Sequence, residues 1–307
     1  MLISIILLIV GFVLLVRGAD TFVDAAAGVA QRFNIPEIII GTTLVAIGTS
    51  APEAAISITA ALAGSDGVSI GNIIGSNITN IFLILGITAV IAALPIRANT
   101  KYYELPFVGM ITLLLCLIGL WFSEIARPAA AMFLVLFVGF IIYTIIMARR
   151  SNEPAPEYKK IPILETVVMI AAGIAALIIG SNLIVDSATD IATRIGVSER
   201  VIGLTLVALG TSLPELVVCV AAALKREYDM AVGNIVGSNI FNILFVLGTT
   251  AAIRPLPFES AFLMDGLVAL MAVTMLMIFV ARNSKLGRVG GILFLIAYVI
   301  YVYYLMV

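Results

Sequence analysis

Histidine is absent from this chain, cysteine occurs twice, and only 11% of its 307 residues are charged. Each scarcity excludes something. Without imidazole there is no histidine proton relay and no nitrogen-rich metal site, so any cation site must be built from oxygen and suits hard ions. Cys116 and Cys219 both lie in apolar runs, which supports neither a disulfide framework nor a thiolate metal site. Soluble domains carry charge on about a quarter of their residues. Here 62% of residues are hydrophobic and the mean hydropathy is +1.20, the composition of an integral membrane protein. The expected partner is the bilayer; neither nucleic acid nor an obligate protein partner is expected, and no covalent cofactor.

What the chain has in abundance is long apolar runs, of the ~20 residues a membrane helix needs rather than the alternating ~10-residue segments of an outer-membrane barrel. The N-terminus, MLISIILLIVGFVLLVRG, lacks a basic leader and a small-residue cleavage pattern and reads as a first membrane helix. Spans are predicted near 1–31, 38–63, 69–94, 104–122 and 128–148, then near 162–193, 200–224, 231–253, 260–281 and 288–307. The stretch RRSNEPAPEYKK, Arg149 to Lys160, is the one soluble-looking linker. The chain therefore divides into a five-helix unit at 1–148, a short linker at 149–161 and a second five-helix unit at 162–307. Loops after odd-numbered spans hold 12 of the 17 basic residues, and loops after even-numbered spans hold 4. Basic residues concentrate on the cytoplasmic side, so the linker is expected inside the cell and both termini outside.

The two units are copies. Residues 40–86 align without a gap to 202–248 at an offset of 162: IGTTLVAIGTSAPE faces IGLTLVALGTSLPE, and GNIIGSNITNIFLILG faces GNIVGSNIFNILFVLG. Since five spans separate corresponding points, the halves must cross the membrane in opposite directions. The fold class expected is all-α, ten transmembrane helices as two inverted-topology repeats of five, an arrangement typical of secondary transporters with a site near the midplane.

Both copies place an acid in an apolar setting, Glu53 and Glu215. A charge at the centre of a membrane helix costs at least ~2.5 kcal/mol, so such a residue is by default a functional candidate. At helical spacing Thr49 and Ser50 share a face with Glu53, as Thr211 and Ser212 do with Glu215. Pro52 and Pro214 lack a backbone donor and free the carbonyls of Gly48 and Gly210, which become candidate cation ligands. In the next span Asn72, Ser76 and Asn80 recur every four residues, and Asn234, Ser238 and Asn242 repeat the stripe. Together these groups suit Ca²⁺, which takes about 6 to 8 oxygens in tolerant geometry, better than Mg²⁺. Na⁺ could use the same oxygens, and a site shared by two cations is the physical basis of exchange.

The paired GTS-x-PE and GN-x2-GSN-x2-N segments resemble the alpha repeats of sodium/calcium exchangers. The resemblance implies Ca²⁺ coordination by Glu53 and Glu215, with Thr49, Ser50, Thr211, Ser212, Ser76 and Ser238 contributing hydroxyls to the Ca²⁺ and Na⁺ sites. It adds the backbone carbonyls of Ala46 and Ala208, with Asn80 and Asn242 completing the centre. It further implies alternating access by sliding of the first and sixth helices against the other eight. Potassium-dependent relatives often carry aspartate where this chain has Asn242, so potassium-independent exchange is expected. The short linker leaves no room for a regulatory domain.

Plainer readings stand beside these. Ser57, Ser69, Thr79 and Asn77 read as interhelical hydrogen-bonding groups, and Gly71, Gly75, Gly233 and Gly237 as close-packing positions. Arg17, Asp20 and Asp24 read as a mutually paired, snorkelling cluster. Electrogenic Na⁺/Ca²⁺ antiport is the expected activity and catalysis is not. The alternatives are H⁺/Ca²⁺ antiport, in which the glutamates carry protons, and a passive cation channel or Ca²⁺-binding scaffold.

Overall fold

The computed structural model describes residues 2–150, 162–195 and 208–306. The linker predicted at 149–161 and the start of the seventh span fall largely outside these residues. Twelve helical segments follow in order: α1 (Leu2–Phe33), α2 (Glu37–Thr49), α3 (Ala51–Leu62), α4 (Asp66–Ile91), α5 (Thr100–Phe122), α6 (Arg127–Arg150) and α7 (Ile163–Arg194). Then come α8 (Ala208–Thr211), α9 (Leu213–Leu224), α10 (Tyr228–Ile253), α11 (Ser260–Asn283) and α12 (Arg288–Met306). Among the described residues eight helices are long and apolar enough to cross a membrane, and α2 with α3 forms a ninth, bent span.

The bend has a local cause. Pro52 cannot donate to the carbonyl four residues back, and the chain breaks two residues before it, at Ser50 (φ −84°, ψ 10°), turning by 48° into α3. Pro214 does the same in the second half, with Ser212 (φ −89°, ψ 4°) separating α8 from α9. The third span of each half, α4 and α10, runs through the centre almost wholly buried, whereas α1, α6, α7 and α12 turn Leu, Ile and Val outward. That outer apolar surface is what a lipid environment requires.

Two features tie the halves together. Leu94–Pro95 (β1) pairs antiparallel with Lys285–Leu286 (β4), and Glu124–Ile125 (β2) with Leu256–Pro257 (β3). Each pair joins a loop of one half to a loop of the other. The second tie is at the centre, where Gly233 and Gly237 of α10 lie against α2: a Cβ on Gly237 would sit 2.5 Å from the Thr42 carbonyl oxygen. The spacing from β1 to β2 exceeds that from β3 to β4 by one residue, and the start of α5 absorbs the extra one as a π-helical turn at Thr100–Glu104. That turn extends α5 four residues before the predicted start at 104.

The 32-residue helices α1 and α7 pack against each other antiparallel along one side. Each spans about 48 Å at 1.5 Å per residue, more than the ~30 Å hydrocarbon core, so each tilts or projects beyond it. Their backbones meet at glycine: a Cβ on Gly180 would lie 2.8 Å from the Gly11 carbonyl oxygen, and one on Gly11 would lie 2.9 Å from that of Gly180. No side chain can give way there, because the opposing atom is main chain. Gly180→Leu is therefore expected to force α1 and α7 apart at a cost of about 1–3 kcal/mol, the usual penalty for overpacking. Thermal unfolding in detergent checks this, and an unchanged midpoint would contradict the close crossing.

Candidate functional site

The two broken spans meet at their breaks. Glu53 lies in the first turn of α3 and Glu215 in the first turn of α9, each 1% exposed. At a helix start the free N–H groups and the positive dipole end favour a carboxylate, and each glutamate accepts a hydrogen bond from its own backbone N–H. This stabilises a charge that the apolar surroundings otherwise penalise. The two carboxylates are close enough to repel each other.

The hydroxyls do not share a face with the acid of their own motif, as a continuous helix would place them. They cross over. Ser50 donates to Glu215 Oε1 at 2.7 Å and lies 2.9 Å from the Ser238 hydroxyl. Ser212 donates to Glu53 Oε1 at 3.5 Å and lies 3.5 Å from that of Ser76. Thr211 is a further partner of Glu53, and Thr49 of Glu215. The break at Ser50 is the reason, since the bend turns Thr49 and Ser50 away from Glu53 and toward the other repeat.

Asn80 and Asn242 complete the centre, each on a π-helical stretch, Thr79–Leu85 in α4 and Phe241–Leu247 in α10. The α4 stretch packs against α9 and the α10 stretch against α3, so each asparagine flanks the helix bearing the other repeat's acid. Glu53 Oε2, Glu215 Oε2, Asn80 Oδ1 and Asn242 Oδ1 are all buried without a hydrogen-bond partner. A buried acceptor left unpaired costs about 1–3 kcal/mol, more if charged. Four such acceptors where two repeats meet form an arrangement that a cation would satisfy.

The remaining sequence candidates divide. Thr49 also donates to Asn234 Oδ1 at 3.0 Å and approaches the Ala46 carbonyl at 3.4 Å; that carbonyl accepts the Ser50 N–H at 3.0 Å and keeps a second lone pair. Ala208 opens α8 in the corresponding place. Of the two carbonyls freed by proline, that of Gly210 accepts the Ser181 hydroxyl of α7 at 2.5 Å, which occupies one of its two lone pairs. Asn72 supports backbone, donating to the Glu53 carbonyl at 3.2 Å and to Ser57 Oγ at 2.9 Å. Asn234 spends its acceptor on Thr49 and leaves Nδ2 unpartnered. Asp20 and Asp24 pair with Lys225, at 3.5 and 2.8 Å, and not with Arg17 as expected. Asn77 is the interhelical hydrogen-bonding group expected from the sequence, and Asn239, which was not singled out, plays the same part at the duplicated N-x2-N spacing.

A family model described as sodium/calcium exchanger protein matches residues 3–146 and 165–307. The chain belongs to the sodium/calcium exchanger family. Its relatives include the "Putative antiporter CaxA" of Alkalimonas amylolytica, 38% identical over 99% of both chains. "Sodium/calcium exchanger MaX1" of Methanosarcina acetivorans is 30% identical over 97% of both. The solved structure of the sodium-calcium exchanger NCX_Mj soaked with zero Na⁺ and Ca²⁺ superposes with a TM-score of 0.87 at 34% identity, covering 99% of each chain. The expected fold holds: ten membrane helices in two inverted repeats of five. As a family member the chain is a multi-pass membrane transporter and not an enzyme, a cation/Ca²⁺ antiporter.

One acid outside the spans titrates unusually. Glu227, between α9 and α10, is buried and hydrogen-bonded with Glu37; burial first, then Glu37, Asp229 and Asp24, push its carboxyl up to about 8. The folded chain thus holds this proton more tightly than the unfolded one, whose glutamates titrate near ~4.3. Its stabilising contribution is full below that value and lost as pH rises through about 8. The melting temperature is expected to fall between roughly pH 5 and pH 8, and Glu227→Gln to flatten that fall. An equally steep decline in the variant would rule Glu227 out as its source.

Proposed function

We propose that the chain exchanges Na⁺ for Ca²⁺ across the cell membrane by alternating access, and that the exchange is electrogenic and independent of K⁺. The observation that carries this reading is the set of unpartnered oxygens of Glu53, Glu215, Asn80 and Asn242 where the repeats meet. Ca²⁺ would lie between the two carboxylates, which can offer four oxygens and neutralise its charge; Ca²⁺ accepts such irregular shells of about 6 to 8 oxygens. The hydroxyls of Thr49, Ser50, Thr211, Ser212, Ser76 and Ser238, with the carbonyls of Ala46 and Ala208, would serve Na⁺ in overlapping positions. Two carboxylates balance one Ca²⁺ but leave three Na⁺ with a net positive charge, so their passage moves charge. Neutral Asn242, in place of an aspartate, supports the absence of a K⁺ requirement.

The α1–α7 pair is the natural moving part. It lies to one side with its backbones in contact, and neither strand pair that ties the halves together includes it. Sliding of this pair against the other helices would open the centre first to one face and then to the other. The basic-residue count puts the linker inside and the termini outside. Its odd and even parity is supported by the strand pairs, each of which joins loops assigned to the same side.

In proteoliposomes an outward Na⁺ gradient is expected to drive ⁴⁵Ca uptake that persists without K⁺ and responds to membrane potential. Uptake that ignores Na⁺ but follows a pH jump in Na⁺-free buffer would assign the coupling to protons, and flux without any counter-ion would indicate a channel. Glu53→Gln and Glu215→Gln should each abolish Ca²⁺ uptake, a loss of at least about 100-fold if an ion loses a charged ligand worth ~3 kcal/mol. Wild-type flux in either variant would refute the site.

A further inference from the structure

Asparagine is an ambiguous ligand, because its side-chain oxygen attracts a cation while its amide nitrogen, of nearly the same shape, attracts a carboxylate. Glu53 Oε2 and Glu215 Oε2 both lack a donor. Rotating the Asn80 and Asn242 amides by about 180° would put Nδ2, a donor, where each now offers a free oxygen, and the site would lose two acceptors. The structure shows the opposite arrangement. Asn80 Nδ2 donates to Asn239 Oδ1 at 2.9 Å, and Asn242 Nδ2 donates to Asn77 Oδ1 at 3.1 Å. Each bond runs from one repeat to the other. Asn77 Nδ2 in turn donates to the Asn239 carbonyl at 3.3 Å, which fixes the plane of one holding amide. All four residues are 3% exposed or less, so water does not compete for these bonds.

We infer that Asn77 and Asn239 are positioning residues which hold the Asn80 and Asn242 amides so that their oxygens, and not their nitrogens, are offered to the ion. The inference rests on the ion-binding reading above. Asn77 and Asn239 need not touch the ion. They act through the amides they grip, and each grips the asparagine of the other repeat, so the polarity of the site depends on both halves.

The test is a double-mutant cycle on the full chain, with Ca²⁺ binding measured by calorimetry in detergent and KM and maximal rate by ⁴⁵Ca uptake. Asn239→Ala removes the acceptor that holds Asn80. It is expected to weaken Ca²⁺ binding and raise KM by about tenfold, the worth of one buried hydrogen bond, with the maximal rate little changed. In the Asn80→Asp background there is no amide to turn, and the same Asn239→Ala change should leave Ca²⁺ affinity unaltered. A general packing role would instead weaken both backgrounds alike, and that result overturns the inference, as does wild-type affinity in Asn239→Ala. If Asn239→Ala cannot be recovered folded, Asn77→Ala with Asn242→Asp reads the same coupling from the other side. Absence of Ca²⁺ binding by the wild-type chain would remove the ion-binding reading itself, whereas wild-type binding with no effect of Asn239→Ala removes only the positioning role.

Discussion

Two carboxylates that face each other in an apolar interior are the constraint on which this structure turns. Burying one unpaired charge costs several kcal/mol, and burying two of the same sign adds their repulsion. The fold responds at every level. The helices break so that each acid stands at a helix start, where backbone N–H groups and the dipole favour it. Hydroxyls reach it from the opposite repeat. What remains is a pair of buried carboxyl groups with free oxygens, which under the proposed function a divalent cation would satisfy.

The same constraint accounts for the close packing around the centre. A site assembled from two halves tolerates little slack, and Gly237 lets α10 approach the α2 backbone where a side chain would hold it off. The loops add a second restraint, since β1 with β4 and β2 with β3 join the halves away from the centre. A frame of this kind holds Glu53 and Glu215 in register. Ser181 of α7, bonded to the Gly210 carbonyl, is one of the few polar contacts that cross from the α1–α7 pair to the site-bearing helices.

Much of this was legible in the sequence because duplication writes each feature twice. The inverted repeat, the broken spans and the two acids all follow from aligned motifs and from the chemistry of proline. Which repeat each hydroxyl serves was not legible, since helical periodicity assumes the continuous helix that Pro52 and Pro214 prevent. The π-helical turns that carry Asn80 and Asn242 also left no trace, because a π turn differs from an α turn in backbone pairing and not in residue pattern. Nor could sequence spacing separate Asn72, which braces backbone, from Asn80, which offers a free oxygen. Both sit on one stripe, and only the neighbours supplied by other helices distinguish them. The partner of Asp20 and Asp24 was missed for a related reason: Lys225 lies some 200 residues away in the chain, while Arg17 was close at hand.

The inverted repeat has an energetic corollary. Exchanging the two halves exchanges the two faces of the membrane, so a protein with identical halves would visit its two end states equally often. Any resting preference must therefore come from positions at which the halves differ. Lys225, which reaches across to Asp20 and Asp24, is one such position; its counterpart at the 162-residue offset is Ala63, which carries no charge. Thr79, beside the Tyr298 hydroxyl, is another, for its counterpart Phe241 packs edge-on against Phe137. Under the proposed alternating access, a bias between the two faces would be encoded at such pairs and not in the shared site.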